Sequence, residues 1–368
     1  MKKNKQFIVG PVELYQSTRD VYQKDFTYFR TTDFGDMVKT SLKKLNHLLG
    51  NDIENSMIYL TASGTAAMEA VIENCTNLDD KALVINGGTF GHRFCELLEY
   101  HNIEHTAINL EWNETLTIEH LKEYENKDYT MLFVNLHETS TGQLYNIKML
   151  SEFAKRNNLL VVVDAISTFL ADSYDMKKYG IDATIISSQK GLCLSAGLSF
   201  VSFSQKMLDK ISKKDKSASK YFDFKDYLIN ITRGQTPYTP AVFIMYELQD
   251  MLELIGKEGG LQARLNYIEK KCKYFRQKVR EIGLKIPEYP LSNMLTPIIF
   301  ENIKASEVIR ILKDKYNIFV NPCGGKLADK IIRVSHIGNT TLEDIDNLIE
   351  KMQLAVAEIK EIKYTHQV

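Results

Sequence analysis

Several features that would direct a reading elsewhere are scarce or missing in this chain. It has 5 cysteines in 368 residues, at positions 75, 95, 193, 272 and 323, and no Cys-x-x-Cys spacing. That excludes a disulfide framework and a zinc ribbon, and it fits reduced thiols in the cytoplasm. There is no excess of either charge: 46 basic residues face 47 acidic ones, for a net charge of −1. Nothing in that balance favours nucleic acid or an anionic membrane as a partner. Long apolar runs are missing too. The start, "MKKNKQFIVGPVEL", is basic but carries no signal-peptide core, and no window reaches the length of a membrane span. With 7 prolines, 19 glycines, 44% hydrophobic and 25% charged residues, the chain is neither disordered nor fibrous. A soluble cytoplasmic protein is expected.

What is present is alternation. From about Met57 to Phe203, short apolar runs such as "SMIYL", "KALVIN", "YTMLFVN", "LLVVVD", "ATIIS" and "LSFVSF" alternate with helical patterns. The run "LLVVVD" is apolar throughout, as in a parallel strand buried on both faces. Such alternation means βαβ units, a mainly parallel sheet, and sites at the carboxyl ends of its strands. A basic helix-like stretch (206–220) follows, then the loop "TRGQTPYTPAV" and one long helical pattern from about Phe243 to Gly283. The remainder alternates strand and helix and ends in "KEIKYTHQV", read as a solvated helix end and a tail. The expected organisation is an N-terminal arm (1–20), a large domain (21–250) and a small C-terminal α+β domain (251–368).

Two charged residues stand where charge is costly. Asp164 ends the most apolar strand, and Lys190 sits between the β-branched run Ala183, Ile185, Ile186 and a glycine turn. An unpaired charge in either place costs several kcal/mol, roughly, unless it is solvated, paired or neutralised. Asp164 read blandly is a helix N-cap and Lys190 a surface lysine. Read together, at two strand ends 26 residues apart in sequence, they suit a crevice holding a cationic pyridine ring between a carboxylate and a lysine imine. Pyridoxal 5′-phosphate (PLP) requires that arrangement. Its phosphate would find free N–H groups at "SGTAAMEAV", where Ser63, Gly64 and Thr65 open a helix.

These segments resemble the class V, fold type I PLP-dependent aminotransferases over nearly the whole chain. The shared elements are "VGPVEL" with Gly10-Pro11, "SGTAAMEA" from Ser63, "GTFGHR" with Phe90 and Arg93, "HETSTG" from His137, "VDAIS" from Val163, "SSQKGL" from Ser187, a "TP-x-TPA" loop from Thr236 and "RVSHIGN" from Arg333. Their order and spacing carry the resemblance. It implies an α/β fold with a seven-stranded, mainly parallel sheet plus a smaller α+β domain, and a homodimer with shared sites. It also implies roles. Lys190 would carry the cofactor and shuttle the substrate's Cα proton, and Asp164 would pair with the ring nitrogen. Phe90 and Ile166 would cover the ring faces, and Thr139 would bond near the ring hydroxyl. Ser63, Gly64, Thr65 and Gln189 would bind the phosphate, and Tyr238 and Thr239 would reach the partner subunit's phosphate. Arg333 would grip the substrate anion. Arg30, in "FRTTDF", is either a second anion contact or a surface ion pair.

The implied activity moves an amino group from 2-aminoethylphosphonate, alanine or serine to pyruvate or glyoxylate, in a ping-pong cycle. The "FRTTDF" element inclines the donor toward 2-aminoethylphosphonate. Two other classes compete. A cysteine desulfurase or lyase would use a mobile thiol, for which Cys323 in "NPCGGK" is the candidate. However, desulfurases resemble one another in having histidines where this chain has Phe90 and Gln189. A catalytically silent binding protein on the same scaffold would have no use for a buried Lys/Asp pair, which contributes little stability. His101 and His105 in "HNIEH" are four apart and read as sharing a helix face without a third ligand, so no metal is assigned. His137 either lines the site or makes a structural hydrogen bond.

Overall fold

The computed structural model describes residues 4–365. Its strands are β1 (Lys5–Phe7), β2 (Met57–Leu60), β3 (Lys81–Asn86), β4 (Glu104–Asn109), β5 (Met131–Asn135), a short hairpin β6 (His137–Glu138) and β7 (Gln143–Leu144), β8 (Leu160–Asp164), β9 (Ala183–Ser187), β10 (Ser199–Phe203), β11 (Leu295–Ile299), β12 (Ile318–Pro322) and β13 (Ile331–Ser335). Seven of them form one sheet in the order β2-β10-β9-β8-β5-β3-β4. All pairings in it are parallel except those of β10, which runs against both β2 and β9. The central strands β5, β8 and β9 are buried almost throughout, which explains their unbroken apolar character. Two apolar clusters cover the two faces.

A second sheet, in the order β1-β12-β13-β11, is built on the C-terminal part and has its own apolar cluster. Its edge strand β1 comes from the N-terminus and pairs in parallel with β12. The two halves meet at Asp172, whose carboxylate accepts from the Ser292 hydroxyl and from the Asn293 N–H at 2.8 Å. Among the described residues no helix is long and apolar enough to cross a membrane.

Local structure departs from the periodicity in four places. The long helical pattern is two helices, Val242–Lys257 and Gly260–Glu281, broken where Gly259 and Gly260 take φ of 104° and 82°, a conformation open to glycine. The basic stretch is helical only over Gln205–Lys213. His101 caps the helix Thr89–Tyr100 and His105 lies in β4, so they share no helix face. His101 Nε2 instead stands 3.5 Å from Glu69. Cys323 is buried directly after β12, its thiol donating to the Ser140 carbonyl at 2.8 Å. The last helix runs Leu342–Thr365, and the tail expected beyond it lies outside the described residues, as do residues 1–3 of the expected arm.

The turn that follows Lys190 is held by side chains. Ser188 Oγ donates to the Ser195 carbonyl at 2.7 Å and accepts from the Leu198 N–H at 3.2 Å. Behind it the fully buried Glu247 accepts from the Ser195 N–H at 2.6 Å and its hydroxyl at 2.8 Å. Removing that carboxylate leaves the half-buried Ser195 N–H without its acceptor, at about 1–3 kcal/mol, and takes one partner from its hydroxyl. Glu247→Ala should therefore lower the urea midpoint markedly, whereas Glu247→Gln, which keeps an acceptor for the N–H, should recover most of the loss. Equal losses in the two variants would contradict this role.

Candidate active site

The site forms where strands end. Asp164 is the last residue of β8 and is buried; its Oδ1 accepts from the Ile166 N–H at 2.9 Å and its Oδ2 from Asn135 Nδ2 at 2.7 Å. Burial pushes its carboxyl up from 3.8 to about 6, against the pull of those two donors. Lys190 stands beyond the end of β9 and is half-buried, with Nζ donating to the Val9 carbonyl at 2.5 Å. Burial brings its amine down from 10.5 to about 8; Asp164 raises it and Arg333 lowers it further. Each group is displaced toward the other, yet among the described residues they make no ion pair within 4 Å.

Most of the remaining predicted residues lie near that pair; Tyr238, Thr239 and Arg30 do not. Ser63 caps the helix Gly64–Cys75, its Oγ accepting from the Ala66 N–H at 3.2 Å, so the bland reading of Ser63 holds locally. The same geometry leaves Gly64 and Thr65 at an N-terminus suited to an anion. Ile166 lies against this turn: a Cβ on Gly64 would stand 2.5 Å from its Cδ1. Phe90 opens the helix after β3, half-buried, with its N–H and that of Gly91 donating to Glu138 Oε2 at 3.1 and 3.0 Å. Thr139 is buried and donates to Ser167 Oγ at 2.8 Å, and Gln189 receives the Val12 N–H at 3.2 Å.

Arg333 reaches the site from the second sheet. It donates from Nη1 to the Thr139 carbonyl at 2.8 Å, and from Nε and Nη2 to the Pro322 carbonyl at 3.1 and 2.7 Å. Those contacts use three of five N–H groups and leave one on each terminal nitrogen. Tyr238 lies apart, stacked on Tyr221 at 5.0 Å with its hydroxyl on the Lys220 carbonyl, and Thr239 is exposed. Arg30 lies apart as well. It is turned onto the loop carrying Tyr238, donating to Gln235 Oε1, the Thr236 carbonyl and the Pro237 carbonyl at 3.2, 2.9 and 3.4 Å. It braces that loop and stacks on Phe29.

Three neighbours were not singled out by sequence. Asn135 orients Asp164. Glu138, fully buried and held above its ordinary range by burial, ties the Phe90 turn to Ser140. Val9 offers its carbonyl to Lys190. Glu138 and Asn135 stand in or beside "NLHETSTG", where only His137 and Thr139 drew notice; a carboxylate buried beside small polar residues was the available signal. His137 itself is buried, with Nδ1 at 3.1 Å from the Ser167 carbonyl and a neutral ring that burial holds down to about 3.

These residues fit PLP. The donor set contains a buried carboxylate for a cationic nitrogen, an amine of lowered pKa for an aldehyde and a helix N-terminus for a dianion. Buried polar atoms without partners among the described residues, Asn135 Oδ1, His137 Nε2 and Ser187 Oγ, lie on or beside the same strand ends.

Comparison with known proteins bears on the family and the fold. The family model for class-V aminotransferases matches residues 20–348. An uncharacterized aminotransferase of Methanocaldococcus jannaschii is 32% identical, over 90% of this chain and 86% of its own. The serine–glyoxylate aminotransferase of Methylorubrum extorquens is 25% identical over 92% and 87%. The crystal structure of alanine–glyoxylate aminotransferase from Nostoc sp. superposes with a TM-score of 0.89 at 24% identity, covering 97% and 96%.

Asp164 yields a pH prediction for the cofactor-free protein. Above pH 6 its folded carboxylate is charged against burial, a cost on the order of 2–3 kcal/mol relative to the unfolded chain. As pH falls through 6 toward 4 the folded chain takes up the proton first and the cost fades. Asp164→Asn imitates the protonated form, and Asn135 can turn its partnerless oxygen to accept from the new amide. That variant should outlast the parent in urea at pH 8, with the gap closing by pH 4. A parent more stable than the variant at pH 8 would contradict the account.

Proposed function

The chain belongs to the class-V aminotransferase family, and from that premise we propose that it moves the amino group of a small α-amino acid to a small 2-oxo acid, with alanine or serine as donor and glyoxylate or pyruvate as acceptor. The observation that carries the reading is the buried Asp164 facing Lys190, each with its proton affinity shifted toward neutrality and neither paired with the other.

PLP, when bound, supplies an aldehyde that links covalently to amines and a ring that accepts electron density from the substrate's Cα. The protein's part is division of labour. Lys190 Nζ, an amine with a pKa of about 8, is close to the ideal for a base that takes and returns a proton near neutral pH. Asp164 would hold the ring nitrogen in its cationic state. Ser63, Gly64, Thr65 and Gln189 would hold the phosphate, Phe90 and Ile166 the two faces, and Thr139 the hydroxyl edge. In one half-reaction the donor loses its Cα proton and its amino group, takes an oxygen from water and leaves as a 2-oxo acid; in the other the acceptor gains the amino group and proton and releases its oxygen as water. One pocket serves the two substrates in turn, so one anion-binding residue serves them both. Arg333 is that residue in our reading, since a planar fork suits a carboxylate.

An amino-acid donor is favoured over 2-aminoethylphosphonate because Arg30 of the "FRTTDF" element, the element that inclined toward the phosphonate, is engaged with residues 235–237. The exposed Thr239 and the Tyr238–Tyr221 shelf support a homodimer in which this loop completes the partner's site. Five free cysteines, all buried, fit a reducing cytoplasm.

Arg333→Ala should lower kcat/KM about thirtyfold to thousandfold in both half-reactions, the value of a desolvated charge-assisted contact of about 2–4 kcal/mol, while the cofactor stays bound. The measurement is single-turnover absorbance with alanine, serine and 2-aminoethylphosphonate as donors and glyoxylate and pyruvate as acceptors. Near-normal values in both directions would place the substrate anion elsewhere, and conversion by 2-aminoethylphosphonate alone would overturn the choice of donor.

A further inference from the structure

A strap from the N-terminus lies against the lysine. After β1, which belongs to the second sheet, residues 9–13 cross to the large sheet and return. The Val9 N–H donates to Asn321 Oδ1 at 2.6 Å, and the Val9 carbonyl accepts from Lys190 Nζ at 2.5 Å. Gly10, at φ +127°, passes so close that a Cβ would stand 2.6 Å from Lys190 Cδ and 2.9 Å from Nζ. Beyond it, Val12 N–H meets the Gln189 carbonyl at 3.2 Å, and Asn339 N–H meets the Glu13 carbonyl at 2.9 Å. The strap is thus anchored at one end on Asn321 of β12 and at the other on Asn339 in the loop after β13, and touches the lysine in the middle. Val9 carries both decisive bonds, one to Asn321 and one to Lys190. Asn321 in turn precedes Pro322, whose carbonyl holds Arg333.

We propose that Asn321 is a positioning residue for the lysine: its side-chain oxygen fixes Val9, so that the Val9 carbonyl receives the Lys190 amine whenever that amine is not linked to the cofactor. The proposal rests on the role given to Lys190 above. A carbonyl oxygen only accepts. A neutral amine that donates one N–H to it has its lone pair turned away from that oxygen, which fixes the direction in which it can take a proton. The ammonium form gains more from the same oxygen than the amine does, because a bond from a charged donor is the stronger one. Losing the tie should therefore lower the pH at which Lys190 becomes neutral. The other groups that act on this amine are Asp164, which favours the ammonium, and Arg333 and the neutral His137. All of them remain in Asn321 variants.

The test uses the full-length enzyme loaded with pyridoxamine 5′-phosphate, so that Lys190 is free. Brief acetic anhydride pulses across pH, with peptide mass spectrometry on Lys190, give the midpoint of amine reactivity. Asn321→Leu should lower that midpoint by about one pH unit, the equivalent of one charge-assisted hydrogen bond. It should also reduce kcat about tenfold with little change in KM. Asn321→Asp keeps an acceptor for the Val9 N–H, so its midpoint should not fall below the parent's. Asn321→Ala removes the same oxygen without added bulk and serves if the leucine variant does not fold. A parental midpoint in either folded variant overturns the proposal. Borohydride reduction of the PLP form separates the two ideas: label on another lysine would defeat the reading of Lys190 itself, while label on Lys190 with an unmoved midpoint defeats only the role of Asn321.

Discussion

Everything in this site depends on an ion pair that the fold declines to complete. A carboxylate and an amine are brought to neighbouring strand ends in a medium of low polarity, where mutual contact would stabilise them most. Each is instead satisfied by neutral partners: Asp164 by the amide of Asn135 and the N–H of Ile166, Lys190 by the carbonyl of Val9. Those bonds moderate the cost of burial without removing it, and the displaced proton affinities of both groups record what is left. The cost is offset when a group that is cationic toward Asp164 and electrophilic toward Lys190 enters between them. That is why the site reads as a cofactor site and not as a structural salt bridge.

The scaffold serves this arrangement in layers. Parallel strands deliver Asn135, Asp164 and the turn bearing Lys190 to one end of the sheet, and Ser188, Ser195 and Glu247 hold that turn. Glu138 does the same for the Phe90 turn, using a buried carboxylate to satisfy N–H groups at a helix start. The second sheet contributes Arg333 and the Val9 strap. Arg333, which we propose holds the substrate anion, and the lysine's acceptor Val9 are therefore both tied to β12, through the adjacent residues Pro322 and Asn321.

The large-scale architecture was legible because its signal is redundant. Runs such as "LLVVVD" and "ATIIS" can hardly be anything but buried parallel strands, and the motif order located Lys190, Asp164, the Ser63 cup and Arg333 near one another. What was not legible depends on distance, which a linear pattern does not carry. The break at Gly259–Gly260 interrupts an apolar period that continues smoothly through it. His101 and His105 have helical spacing, yet the helix stops between them. Arg30 carries the charge expected of an anion contact, but three acceptors in 235–237 claim it. Asn135, Glu138 and Asn321 are polar residues of common type, and only their burial and partners distinguish them.

The central claim is that Asp164 matters as a charge facing the cofactor ring and not as a cap for its own turn. Asp164→Asn keeps the size and the acceptor for the Ile166 N–H while removing the charge. Loaded with PLP and followed by absorbance in single turnover with the best donor, that variant should keep its cofactor. Its Cα-proton transfer should slow by at least about a thousandfold, or roughly 4 kcal/mol of barrier. A rate within about tenfold of the parent's would show that the buried carboxylate is structural, and the account built on it would fail.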